Sequence, residues 1–226
     1  MKVCHLIIVA VLAVSTTPSH SLELLPNRGH YSVPVKSYSE IVFGNVLRQK
    51  YDFSCGSAAL ASLLSFHYKT PSKEEDVFKV MFDNGDKKLI EQKGFSLLDM
   101  KLYLESVGFK SDGFNLPLDK IRKVGVPGIT LVNFDGYLHF VVIKGMNNEF
   151  VIVGDPSRGT IKIKYSDFEQ HYMGIVLLIR NKAEVGKETF ITDDNFNIYT
   201  SSPTDIAVRR EGFGTLSIPR PGTGQY

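Results

Sequence analysis

The feature that most constrains the fold is a segment, residues 57–68, that is small or apolar on nearly every side of a helix. Ala58, Leu60 and Leu63 fall on different sides when 3.6 residues make a turn. A helix that is apolar all round is buried rather than laid on a surface. Any fold of this chain must therefore cover this helix from several directions, and we predict that it forms the centre of the domain.

Helix signals dominate the first half of the chain and strand signals the second. Ser72 and Glu75 have capping-box spacing, which predicts a second helix through Met81. Further helices are predicted at 96–108 and 117–125, each ending at a glycine, and β-rich runs at 128–134, 137–145, 149–155, 160–164 and 175–180. Successive strands with short connections favour an antiparallel sheet packed on the helices, an α+β fold.

The first 21 residues have the pattern of a secretory signal peptide. Lys2 precedes an apolar run, residues 3–14, that is too short to span a bilayer. Cleavage after Ser21 is predicted, with cleavage after Ser15 as the alternative. We therefore expect a periplasmic protein with a signal peptide (1–21), an N-terminal extension (22–44), a folded domain (45–180) and a polar, largely extended tail (181–226).

Charge and cysteine content exclude several classes of function. Residues 1–21 hold one of the 26 basic residues and none of the 24 acidic ones, so the mature net charge is +1 and gives no argument for nucleic acid or an anionic membrane. Cys4 leaves with the signal peptide, and a single remaining cysteine excludes an internal disulfide and a Cys-rich zinc site. We expect no cofactor, no membrane span and a monomer.

Cys55 is the candidate nucleophile, because it lies where a polar loop turns into the central helix. An unpaired thiol is a liability in an oxidising compartment unless it has a function. The N–H groups and dipole of a helix N-terminus favour a thiolate, and Gly56 would let a substrate backbone approach. The alternative is that Cys55 is a small apolar residue on a buried helix.

His139 is the candidate general base, since cysteine catalysis needs a base and a group that orients it. His67 lies three helical turns beyond Cys55, about 18 Å by helical rise, which is too far to share a proton. His30 falls in the N-terminal stretch and His171 in a polar loop or short helix. The alternative for His139, in an apolar strand, is a half-buried structural residue.

Asp155 is the candidate orienting group for His139. If residues 146–148 form a three-residue loop, His139 lies directly opposite Asp155 on one face. A two-residue loop pairs His139 with Pro156 and leaves Asp155 on the other face, unless a bulge re-aims it. Because the flanking residues are apolar on both faces, the pattern leaves the register open, and Asp155 could instead be an Asp-Pro turn residue.

Gln49 is the candidate oxyanion donor, together with the backbone N–H of Cys55. Glutamine supplies a neutral NH₂ donor that does not compete for the proton. The intervening loop is short enough to bring Gln49 beside the start of the helix. On its own, a glutamine six residues before a cysteine carries little information.

Four segments resemble, in the correct order, the bacteriocin-processing peptidases that cut double-glycine leaders. They are 48–60, 94–109, 137–142 and 154–159, and the likeness spans about residues 45–180. The resemblance implies a papain-like cysteine peptidase fold, a Cys55–His139–Asp155 triad and Gln49 as the oxyanion donor. Most members are transporter domains that face the cytoplasm, whereas the exported, stand-alone layout expected here is similar to the peptidase-like component of the Fap functional-amyloid secretion system.

The resemblance implies an exported cysteine endopeptidase that cuts a secreted protein or leader, with a secretion-system or amyloid component as partner. A catalytically idle peptidase fold that binds a leader or fibre subunit is the first alternative. Retention of Cys55 argues against it, because idle modules usually lose the cysteine. A cell-wall amidase is the second alternative, and that class tends to use a second histidine where this chain has Asp155.

Overall fold

The computed structural model describes residues 36–192 of the 226-residue chain; the predicted signal peptide, residues 22–35 and residues 193–226 lie outside this range. The described helices are α1 (Tyr38–Phe43), α2 (Cys55–His67), α3 (Glu74–Asn84), α4 (Lys87–Lys93), α5 (Leu97–Ser106), α6 (Leu118–Val124), α7 (Tyr165–His171) and α8 (Ala183–Lys187). The strands are β1 (Ser111–Asn115), β2 (Gly128–Phe134), β3 (Tyr137–Met146), β4 (Phe150–Asp155), β5 (Gly159–Lys164) and β6 (Tyr172–Ile179).

The strands form one antiparallel sheet in the order β1-β6-β2-β3-β4-β5. The turn from β2 to β3 consists of Asp135 and Gly136, with φ angles of 51° and 93°. Two residues with positive φ are the signature of a tight type I′ hairpin turn. Asn133 Oδ1 supports this turn by accepting a hydrogen bond from the Gly136 N–H at 2.7 Å. The turn fixes the start of β3, which carries His139.

The sheet separates two hydrophobic cores. Along β3, Phe140 and Val142 point into the core beneath α2, α3 and α5, whereas Val141 and Ile143 point into the opposite core. That second core is covered by α6 and α7, among whose residues Phe168 is 1% exposed. The sheet therefore has helices on both sides, and the predicted α+β class is confirmed.

Helix α2 is the central helix that the sequence predicts. It begins at Cys55, two residues earlier than the predicted start, and 11 of its 13 residues are buried. It packs against α3 and α5 on one side and against β2 and β3 on the other. Burial from both directions explains why its sequence lacks a polar face.

The predicted capping box at Ser72 is wrong. Helix α3 begins at Glu74 with Lys73 as N-cap and no capping side chain, and the Ser72 hydroxyl instead donates to the Thr70 carbonyl at 3.0 Å. A capping box does open α5, where the side chains of Ser96 and Asp99 each bond the other's backbone N–H. The predicted helix start at Ser96 is therefore confirmed.

Residues 181–192, the described part of the predicted tail, are folded against the domain. Phe190 is 8% exposed, and Ile191 forms a parallel bridge with Gly145 of β3. This corrects the expectation of an extended tail for these twelve residues. Phe190 and Ile191 are apolar residues within a polar stretch, so the composition of the stretch did not predict their contact with the domain.

No helix within residues 36–192 is both long and apolar enough to cross a membrane.

Candidate active site

Cys55 is the first residue of α2 and is 7% exposed. The preceding Ser54 hydroxyl bonds back to Tyr51, donating to its carbonyl at 3.0 Å and accepting from its N–H at 3.1 Å. Ser54 therefore gives α2 no side-chain cap. The first N–H groups of the helix remain available to an anion, and the helix dipole favours negative charge there.

Gly56 has a different role from the one expected. A Cβ added to it would meet Met100 Cε at 2.7 Å and Phe95 Cβ at 3.0 Å. The missing side chain thus lets α2 pack closely on α5 and on the segment before it. Gly56 faces the core rather than a substrate, so the expectation that it opens a path for a substrate backbone is wrong.

His139 lies in β3 opposite Val132 and is 2% exposed. Its Nε2 is 2.9 Å from Asp155 Oδ1. The other ring nitrogen, Nδ1, is buried without a hydrogen-bond partner. Cys55 begins α2, which packs on β3, and its thiol is close enough to the ring to affect the pKa of His139. The thiol and the carboxylate therefore both act on this one imidazole.

The pKa of His139 is set by opposing effects. Burial lowers it, since burial penalises the charged imidazolium, but hydrogen bonds and negative charges from Asp155 and Cys55 outweigh burial and raise the pKa to about 9. The raised pKa favours the protonated ring at neutral pH. A protonated imidazole beside the thiol is the counter-ion that a thiolate requires.

Asp155 ends β4 and is fully buried. Its burial opposes ionisation, but the hydrogen bond and charge of His139, with the charge of Arg158, hold its pKa well below the usual range for aspartate. Asp155 is therefore an anion inside the protein. It can hold the His139 ring in one orientation and stabilise its charge.

The strand register that brings Asp155 to His139 matches neither simple prediction. Asn147 N–H bonds the Phe150 carbonyl at 2.9 Å, which leaves a two-residue loop, 148–149. A bulge between Ile143 and Gly145 then shifts the pairing by one residue, so that Val142 faces Gly154. Extended to the strand end, this register puts Asp155 diagonal to His139 on the same face.

The hydrogen bonds of Gln49 go to the turn that follows Asp155 and to Tyr51, not to the Cys55 thiol. Its backbone N–H bonds the Pro156 carbonyl at 3.0 Å, and its side-chain Nε2 donates to the Tyr51 carbonyl at 3.2 Å. An amide nitrogen carries two hydrogens, so one remains for another acceptor. Its Oε1 is buried without a hydrogen-bond partner.

The other described histidines stay apart from this cluster. His67 Nδ1 lies 2.8 Å from Thr189 Oγ1, and burial lowers the pKa of His67 to about 3. His171 Nδ1 bonds the Asn133 carbonyl at 2.9 Å. His30 lies outside the described residues.

A model of the peptidase C39 family matches residues 44–184, which include all four predicted site residues. The chain belongs to the peptidase C39 family. Two relatives are each named "Probable functional amyloid protease FapD". That of Pseudomonas fluorescens is 41% identical over 145 residues and that of Pseudomonas aeruginosa 37% identical over 155 residues. The matches span 64% and 69% of each pair of chains, so the first covers just under two thirds of its relative.

Solved structures confirm the predicted fold. A double-glycine-motif protease from an AMS/PCAT transporter, solved in complex with a leader peptide, is 28% identical with a TM-score of 0.51, covering 59% of this chain and 89% of that one. The peptidase domain of Streptococcus ComA is 19% identical with a TM-score of 0.52, covering 60% and 96%, and shows the fold alone.

This C39 domain also holds site residues that sequence analysis missed. Tyr137 stacks on His139 with ring centroids 5.7 Å apart, and burial and the charges of Cys55, Asp52 and Asp155 raise its pKa. Ser157 and Arg158 bond the Asp155 carboxylate. The Asp-Pro-Ser-Arg sequence is a turn in which the aspartate accepts from residues two and three positions later, and that pattern could have identified both.

Proposed function

We propose that the protein is a cysteine endopeptidase in which Cys55, His139 and Asp155 act as nucleophile, general base and orienting carboxylate. The observation that carries this proposal is the buried imidazole of His139, which bonds the buried Asp155 at 2.9 Å in a domain whose one described cysteine begins α2, the helix that packs on the same strand. A purely structural histidine would need neither a buried carboxylate partner nor a thiol close enough to affect its pKa.

The geometry supports acyl transfer in two steps. The Cys55 thiolate attacks the scissile carbonyl carbon, and the oxyanion accepts hydrogen bonds from the Cys55 N–H and from Gln49 Nε2. As the C–N bond breaks, the His139 imidazolium gives its proton to the leaving amine. Neutral His139 then takes a proton from a water molecule, which hydrolyses the thioester and restores the thiolate–imidazolium pair.

We also propose that the protein acts outside the inner membrane on a secreted protein or leader segment in a secretion or functional-amyloid assembly pathway. The signal-like pattern of residues 1–21 supports export, and the FapD relatives support the pathway. The similar transporter protease, solved with a leader peptide, supports a leader segment as substrate.

Comparison of the N-termini of exported proteins in cells that express wild type or Cys55→Ala tests the activity. We expect new N-termini only with wild type, at equal protein levels and with similar melting temperatures. If both strains show the same N-termini, while Cys55→Ala still co-purifies with an exported protein, the chain is a binding module.

N-terminal sequencing of the purified protein tests export. Leu22 is expected as the first residue, and a retained Met1 would contradict export.

A further inference from the structure

The carboxylate of Asp155 is surrounded by more donors than His139 requires. Its Oδ1 accepts from the Ser157 N–H at 2.8 Å, the Ser157 hydroxyl at 2.7 Å and the Arg158 N–H at 3.3 Å, besides His139 at 2.9 Å. Its Oδ2 accepts from Arg158 Nε at 2.7 Å. Among residues 36–192, Arg158 is thus the one full positive charge that bonds the oxygen facing away from His139.

Arg158 is itself held in place. Its side chain is 31% exposed, and its guanidinium lies 4.8 Å from the ring centroid of Phe134, at the end of β2. The Phe134 ring also contacts His171, at 4.9 Å between centroids. A cation stacked on an aromatic face loses little freedom when it bonds a carboxylate. The contact therefore fixes the plane of the Asp155 carboxylate from outside the site.

We propose that Arg158 is a positioning residue for the catalytic pair, acting through Asp155. It orients the carboxylate so that Oδ1 points at His139, and it balances a buried negative charge. This inference rests on the function proposed above. Since thiolate, imidazolium and carboxylate together carry a charge of −1, Arg158 makes the assembly neutral.

The direction of the effect follows from the charges around Asp155. The charged and titratable groups that act on Asp155 are His139 and Tyr137 from β3 and Arg158 from its own turn. Cys55 and Asp52 act in turn on His139 and Tyr137. Without Arg158, both the carboxylate and the thiolate lose a stabilising positive charge. Whether or not Asp155 then takes up a proton, the electrostatic support of the Cys55–His139 pair is weakened.

The test is the rate of iodoacetamide labelling at Cys55, read peptide by peptide from pH 5 to 9, in Arg158→Gln and Arg158→Lys. In Arg158→Gln we expect the rise of the labelling rate with pH to occur about one pH unit higher than in wild type. This shift corresponds to a roughly tenfold lower labelling rate at pH 6. Arg158→Lys keeps the charge and should recover most of that loss. Arg122→Gln is the matched control, since Arg122 pairs with Asp119 at 2.9 Å with the same spacing along the chain.

A purely structural role would slow labelling equally at every pH, and this result would overturn the inference. So would identical profiles for the Gln and Lys variants. Failure of the proposed function is a separate outcome: wild-type Cys55 would then label no faster than free cysteine, before any change at Arg158. Melting temperatures of all variants establish that the labelled proteins are folded.

Discussion

At the scale of single residues, the site depends on two buried groups whose pKa values move in opposite directions. The pKa of His139 rises and that of Asp155 falls because each stabilises the charged form of the other inside the protein. Neither pKa shift follows from the sequence, because both depend on burial and on a contact between two residues that are 16 positions apart in the chain. The sequence does predict the residue types, because a cysteine site needs a base and an orienting group.

Asp155→Asn should lower the pKa of His139. The wild-type value is raised to about 9, and removal of the carboxylate leaves burial, which lowers it, as the largest influence. We expect the imidazole titration followed by NMR to move from about 9 to below the ordinary value of about 6.5. Asp119→Asn, which removes the exposed aspartate that pairs with Arg122, should leave the titration unchanged. A wild-type midpoint near 6.5 would contradict the pairing.

The same shift predicts how stability depends on pH. A histidine whose pKa is raised on folding stabilises the protein fully below its unfolded pKa of about 6.5 and loses that contribution as pH rises through about 9. Denaturant unfolding should therefore show a loss of up to about 3 kcal/mol between these pH values. His139→Gln should lack this decline, and an equal decline in both proteins would assign it to other groups.

At the scale of elements, the bulge in β3 decides whether the site assembles. The two-residue loop alone would leave Asp155 on the wrong face, and the extra residue between Ile143 and Gly145 corrects the register. Period-two patterns could not predict this bulge because β3 and β4 are apolar on both faces. The helix starts at Cys55 and Ser96 were more predictable, since loop-to-helix signals are local.

Gly145 follows the bulge, and a side chain there should destabilise the domain. An added Cβ would lie against the Ile191 backbone, where the described C-terminal segment pairs with β3. We expect Gly145→Ala to lower the free energy of unfolding by about 1–3 kcal/mol, as measured in urea. Gly113→Ala is the control, because its Cβ would meet only Ile175 Cδ1 at 3.8 Å. Equal losses of unfolding free energy in the two variants would contradict close packing of Ile191 against Gly145.

At the scale of the whole molecule, one buried helix organises the domain, as residues 57–68 predict, and the order of helical and strand halves gives the α+β class. The sequence did not predict α1, α4, β1 or α8, because short elements with mixed composition depend on contacts made elsewhere in the chain. The fold of residues 181–192 was also missed. The catalytic roles of Cys55, His139, Asp155 and Gln49 remain predictions.

Phe190 should contribute to the stability of the domain although it lies beyond the predicted boundary at residue 180. Its side chain is 8% exposed and belongs to the core that includes Leu118 and Phe168. We expect Phe190→Ala to cost about 3 kcal/mol in urea unfolding. Tyr38→Ala, at a side chain that is 81% exposed, should cost little. A negligible loss for Phe190→Ala would mean that the segment does not dock in solution.

The most direct test of the proposed catalytic pair is iodoacetamide labelling of Cys55 at pH 6 in wild type, His139→Ala and His67→Ala. A free thiol with a pKa of about 8.5 is almost entirely protonated at this pH. We predict that wild type and His67→Ala label at least about tenfold faster than free cysteine, because a protonated His139 stabilises the thiolate, and that His139→Ala loses this advantage. Labelling of wild type no faster than free cysteine, or unchanged by His139→Ala, would contradict the account.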